Sequence, residues 1–154
     1  MKSRDNIKIC VVLSTFDQKI SDALFDGAIK KFIDLGGVMD NITLYKVPGA
    51  FEIPGAIKTI IKSNSKYDAI LSLGCVIKGK TAHFEYISSS VTNSLSQISI
   101  SDNCDVPIIY GILTTYDYQQ ALERSNPNKK NKGGAAAQAL LHLLGISKDQ
   151  NETK

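Results

Sequence analysis

The sequence predicts an α/β fold: a three-layer α/β/α sandwich built on a four-stranded parallel sheet with helices on both faces. Three observations predict it. Four short runs are rich in β-branched residues and nearly all apolar, the pattern of strands buried on both faces. Between them lie segments whose apolar residues recur at helical spacing. The two kinds of segment alternate along the chain, and parallel strands require such crossover connections.

Residues 7–13 (I-K-I-C-V-V-L) form the first strand-like run. Ile20, Leu24, Ala28, Phe32 and Leu35 then mark a helix that Gly36-Gly37 should stop. Residues 42–47 read as a second strand, ending at the turn-forming Pro48-Gly49 pair. The helix that follows tolerates Pro54 in its first turn and presents Ile57, Ile60 and Ile61. Residues 68–77 (D-A-I-L-S-L-G-C-V-I) are a third strand, 81 to about 100 a third helix, and 106–113 (V-P-I-I-Y-G-I-L) a fourth strand. A short helix at 117–124 and a last one at 133–144 complete the pattern, with S-N-P-N-K-K-N at 125–131 as an internal linker. Ligands of such sheets bind at the carboxyl ends of the strands. The segments to watch are therefore 14–17, 47–52, 75–83 and the residues after Tyr110.

The 154 residues suit a single domain spanning 1–154, with an ordered core at about 7–145. Hydrophobic residues at 43% and charged residues at 21% match a soluble globular protein. A net charge of +3, without aromatics interleaved among the basic residues, argues against a nucleic-acid partner. No apolar run approaches the roughly 20 residues that span a bilayer, so no membrane partner is expected. The polar N-terminus lacks the features of a secretion signal. Cys10, Cys75 and Cys104 are odd in number and widely spaced, with only His83 and His142 to join them. That pattern suits neither a disulfide framework nor a metal site, and points to a reducing compartment, by default the cytoplasm.

Residues 74–81 (G-C-V-I-K-G-K-T) match the phosphate-loop pattern G-x-x-x-x-G-K-[ST]. A true phosphate loop is turn throughout, wrapping the phosphates in backbone N–H groups. Here Val76-Ile77 continue the apolar strand, the turn begins near Lys78, and no later strand ends in a magnesium-binding Asp. A nucleoside triphosphatase is thereby disfavoured. A strand giving way to a helix at Gly79-Lys80-Thr81 still offers free N–H groups and a positive dipole end to one phosphate. The competing reading is a plain helix cap by Thr81. His83 lies in the same first turn, where the dipole disfavours imidazolium and so suits it to act as a base; its alternative is a surface histidine.

Five segments in order carry a resemblance: V-P-G-A-F-E-I-P (47–54), L-G-C-V-I-K-G-K-T-A-H-F-E-Y (73–86), G-I-L-T-T (111–115), Q-A-L-E-R (120–124) and N-K-G-G-A (131–135). Together they closely resemble the 6,7-dimethyl-8-ribityllumazine synthase family of riboflavin synthesis, over residues from about 7 to 144. The resemblance implies a flavodoxin-like fold. It also implies condensation of 5-amino-6-(D-ribitylamino)uracil with 3,4-dihydroxy-2-butanone 4-phosphate, releasing phosphate and water, with no cofactor and no metal. It makes His83 the catalytic proton carrier and gives the phosphate to Lys80, Thr81 and Arg124. Phe16 then stacks on the pyrimidine, and Ala50, Phe51 and Glu52 meet the ribityl chain and ring edge. Cys75, Val76 and Ile77 bind the pyrimidine through their backbone, beside Tyr110.

Each residue has a plainer reading. Alone, Phe16 is a core aromatic, Glu52 a first-turn acid complementing a helix dipole, and Arg124 with Lys129, Lys130 and Lys132 a solvated basic edge. The resemblance further implies pentamers with sites between neighbouring subunits, Phe16 serving a site with the neighbour's His83 and Arg124. In some members twelve pentamers close into a sixty-subunit shell, and riboflavin synthase is a further implied partner. The chain departs from the family's pattern at Lys78, usually Arg, at Tyr110, usually Phe, and most widely at S-N-P-N-K-K-N-K (125–132), where Pro127 stiffens the bend and free pentamer, decamer and shell all stay open. A flavin- or lumazine-binding module of the same fold with little turnover is the alternative.

Overall fold

The computed structural model describes residues 2–64 and 66–149, with side chains up to residue 145; Met1 and residues 150–154 of the expected domain lie outside the described residues. The main elements are β1 (Ile9–Ser14), α1 (Gln18–Asp34), β2 (Ile42–Val47), α2 (Ile53–Lys62), β3 (Ala69–Ile77), α3 (His83–Ser99), β4 (Ile108–Thr115), α4 (Tyr118–Ser125) and α5 (Lys132–Asp149). All strand pairs are parallel and the sheet order is β2-β1-β3-β4. This is a flavodoxin-like, three-layer sandwich.

The period-2 alternation of the strands divides the core into two. Ile9, Val11 and Leu13 of β1, with Leu71 and Leu73 of β3, pack on one face beneath α1, α4 and α5. Cys10 and Val12, with Ile70, Val76 and Ile112, pack on the other beneath α2 and α3. A fully buried Ile or Leu contributes about 1.5–3 kcal/mol relative to exposure, so strands apolar on both faces are what this architecture needs.

Helix ends follow from local chemistry. Asp17 Oδ1 accepts the Ile20 N–H at 3.0 Å and caps α1. Gly36 ends the helix at φ +103°, a conformation that favours glycine, with its N–H on Ile33 O and the Gly37 N–H on Phe32 O. Asn131 takes φ 43° and caps α5, accepting the Gly134 N–H at 3.0 Å. A Cβ at Gly133 would run into the Leu24 carbonyl oxygen, so glycine permits the close approach of α5 to α1.

Several boundaries differ from expectation: β1 covers 9–14 rather than 7–13, and α5 runs to Asp149 rather than stopping at 144. β4 covers 108–115 rather than 106–113. Pro107 has no N–H to give and enters the sheet only by accepting from Ile70 N. At the other end Thr114 and Thr115 pair with Val76 and Ile77, because β-branched residues continue a strand whatever their polarity. α3 begins at His83 rather than Thr81.

Candidate functional site

A groove of about 420 Å³ opens at the carboxyl ends of β1, β2 and β3, beside the start of α3. Each element brings part of the predicted site into it. Phe16 comes from the loop after β1, Ala50, Phe51 and Glu52 from a single 3-10 turn after β2, and Cys75, Val76 and Ile77 from the end of β3. His83 comes from the first residue of α3.

The Phe16 loop is held on both sides. Thr15 N donates to Val47 O at 2.9 Å, tying the loop to the end of β2. On the other side Asp17 caps α1 and also hydrogen-bonds the Tyr118 hydroxyl. Partial burial, then the charge and hydrogen bond of Asp17, push the Tyr118 phenol above its ordinary 10.0. Between these anchors the Phe16 ring is 77% exposed. It is thus not the core aromatic that its sequence context alone suggested.

The 3-10 turn after β2 is pinned by buried Ala50 and Ile53, leaving Phe51 and Glu52 exposed. Gly74 permits the strands to close on the turn: a Cβ there would meet Ser14 Oγ and the Ile53 side chain. β3 also outruns β1. Its pairing with β1 ends at Leu73, while pairing with β4 continues to Ile77. Residues 75–77 therefore have no sheet partner on the β1 side, and their backbone is available to a ligand. Burial pushes the Cys75 thiol up to about 12, so it stays protonated at neutral pH and is no nucleophile.

The turn at 78–82 leads into α3. β3 persists through Ile77, so the first half of the phosphate-loop match, residues 74–77, is strand rather than loop, as its apolar residues implied. Lys78 N donates to Thr115 O, fixing the base of the turn against β4. Ala82 occupies the N-cap position and no side chain caps the helix. Thr81 Oγ1 takes only a long 3.4 Å contact from His83 N. The first turn of α3 thus keeps donors and its positive dipole end for an anion. Lys80, Thr81 and His83 are all exposed there.

Four predicted residues do not line the groove: Lys80 and Thr81 stay on the exposed turn before α3, and Arg124 and Tyr110 lie elsewhere. Arg124 is half-buried on α4, its Nη1 donating to Gln120 O at 3.4 Å. α4 packs on the opposite face of the sheet from α3. The Tyr110 hydroxyl instead pairs with Thr92 Oγ1 at 2.9 Å, and its ring lines a separate hollow of about 220 Å³ with Leu95 and Ser99. One expectation is corrected: Phe16 and His83 line one groove of a single chain, so Phe16 does not need a neighbour's His83. Pro48, Gly49 and Ile87 also line the groove; Pro48 and Gly49 lie in the 47–52 segment expected at the strand ends but were given no role, and Ile87 was read only as part of a helix.

Another hollow of about 450 Å³ lies between α2 and α3, lined by Lys58, Lys62, Gln97 and Cys104 among others. It is away from the strand ends and contains neither His83 nor the exposed rings. Among the described residues no group of three or more His, Cys, Asp or Glu could hold a metal ion, and no helix is long and apolar enough to cross a membrane.

A doubly wound sheet with an aromatic-lined groove at its strand ends, closed by an open helix N-terminus, defines a small-molecule-binding α/β protein. The chain belongs to the 6,7-dimethyl-8-ribityllumazine synthase family, whose profile matches residues 6–148. It is 40% identical over 144 residues to the 6,7-dimethyl-8-ribityllumazine synthase of Yersinia pestis (strain Pestoides F), covering 93% of this chain and 90% of that protein. The same identity and coverage hold for the enzyme of that name from Yersinia pseudotuberculosis serotype O:1b (strain IP 31758).

Proposed function

We propose that the chain is a transferase of riboflavin synthesis. It condenses 5-amino-6-(D-ribitylamino)uracil with 3,4-dihydroxy-2-butanone 4-phosphate, giving 6,7-dimethyl-8-ribityllumazine, phosphate and water. The observation that carries this reading is the meeting of Phe16, Phe51, Glu52 and His83 in one groove. Phe16 stacks on the pyrimidine, a contact worth about 0.5–1.5 kcal/mol beyond burial. The free backbone edge at Cys75, Val76 and Ile77 reads the ring, while Ala50, Phe51 and Glu52 meet the ribityl chain.

The substrate amine attacks the ketone and water leaves to form an imine. His83 then moves the proton whose loss from the neighbouring carbon lets phosphate depart; the enol left behind becomes a ketone, which the ribitylamino nitrogen attacks with loss of a second water to close the ring. Lys80, Thr81 and the open donors of α3 hold that phosphate, and Arg124 supplies a guanidinium fork to it. No cofactor enters. Holding two substrates in reacting geometry provides most of the acceleration.

The chain acts as one domain, in the cytoplasm, and assembles into pentamers that stand free, pair as decamers or close into a sixty-subunit shell, with riboflavin synthase as a partner. Assembly is supported by the position of Arg124 and Tyr110 outside their own chain's groove, which leaves a neighbouring copy to supply them. The exposed rings of Phe51, Tyr86 and Tyr116 are also surface that association would cover. Mixing the protein with both substrates, without metal or nucleotide, and following lumazine absorbance tests the reaction. Acceleration over the uncatalysed background is expected. Tight binding of lumazine without its formation would instead make this a binding module.

A further inference from the structure

We propose that Tyr116 is a positioning residue for the phosphate-holding turn at 78–82, an inference that rests on the reading of that turn given above. Tyr116 immediately follows β4 and is 70% exposed, yet it is held in place. Its N–H donates to Gln120 Oε1 at 3.0 Å. Its ring lies against Phe84, with centroids 6.3 Å apart and planes tilted by 40°. Lys78 Nζ sits over the same ring, 5.8 Å from its centroid.

The ring thereby touches both ends of the turn: Lys78 opens it, and Phe84 is the second residue of α3. With the Lys78 N–H already on Thr115 O, a cation over an aromatic face fixes the side chain as well as the backbone. No side chain caps α3 on its own account, so this stack helps to align its open donors with the rim of the groove. The phenol hydroxyl has no part in it, because both contacts are made by the ring.

The test measures inorganic phosphate affinity for the full chain and for Tyr116→Phe, Tyr116→Ala, Lys78→Met and the Tyr116→Ala/Lys78→Met double variant. KM for each substrate is measured alongside. Tyr116→Phe should bind as the parent does. Tyr116→Ala should lose about three- to fivefold in phosphate affinity. It should raise KM for the butanone phosphate well above any change in KM for the pyrimidine, a split that general loosening would not give. Lys78→Met should cost less in the Tyr116→Ala background than alone, since coupled residues do not add. Parental phosphate binding by Tyr116→Ala, an equal loss in Tyr116→Phe, or strict additivity would each overturn the proposal. If the parent makes no lumazine while the phosphate pattern holds, the proposed reaction falls and the positioning role stands.

Discussion

Phe16, on the loop after β1, and His83, at the first residue of α3, face one groove of the same chain. The stacking surface and the proton carrier are thus set on separate elements that share a sheet edge, and each can be removed without dismantling the other. Phe16→Ala should raise KM for the pyrimidine about tenfold, from lost stacking and lost buried area, with little change in KM for the phosphate substrate. Steady-state kinetics with each substrate varied in turn will show whether the two constants separate.

His83 is exposed and makes only a backbone contact to Thr81, so His83→Ala should not disturb packing. We expect kcat to fall roughly 100-fold or more, in line with loss of general acid–base catalysis. Sedimentation and thermal melting should be unchanged. A variant that loses assembly would reveal a structural histidine instead.

Arg124→Ala should raise KM for the butanone phosphate by about tenfold or more, the scale of a lost charge-assisted hydrogen bond. Binding of the pyrimidine should change much less. Arg124→Lys should recover only part of the loss, because a point charge does not reproduce a planar fork. Equal losses for both substrates would remove Arg124 from the phosphate site.

Burial lifts the thiols of Cys10 and Cys75 from an ordinary 9.0 to about 12. Their folded-state pKa values are raised, so their contribution to stability is whole below pH 9.0 and is lost as pH rises towards 12. Urea midpoints should therefore fall progressively above about pH 9, and a Cys10→Ala/Cys75→Ala variant, though less stable at neutral pH, should show a shallower decline. Denaturation curves across that range would expose a parallel decline, which would assign the effect to other groups.

Asn131 supplies two things at once, a left-handed backbone and the cap of α5, and its side chain sits where a Cβ at Gly27 would clash. Asn131→Ala should cost about 1–2 kcal/mol and Asn131→Gly about half as much, since glycine keeps the backbone while losing the cap. Chemical denaturation at neutral pH measures both.

Most of the sandwich was legible because strand burial and helical period leave direct marks on apolar spacing: β2 occupies the expected residues, and α1 ends before Gly36 and Gly37 as their chemistry requires. β4 runs two residues beyond the apolar segment read from the sequence, because Thr114 and Thr115 are held by pairing with β3. In the site, the first-turn position of His83 was readable from a strand running into a helix. The grouping of Phe16 with His83 in one chain was not, because sequence distance says nothing about which loops a doubly wound sheet brings together. Tyr116 was invisible for a related reason: its value lies in a ring shared by Lys78 and Phe84, which only the folded sheet edge assembles.

The measurement closest to the central claim is a crystal structure of the protein with 6,7-dimethyl-8-ribityllumazine bound. The ring should lie on Phe16, with its edge along residues 75–77, the ribityl chain towards Glu52 and His83 beside the newly closed ring. Lumazine seated instead in the hollow between α2 and α3, or bound with the Phe16 groove empty, would contradict the account.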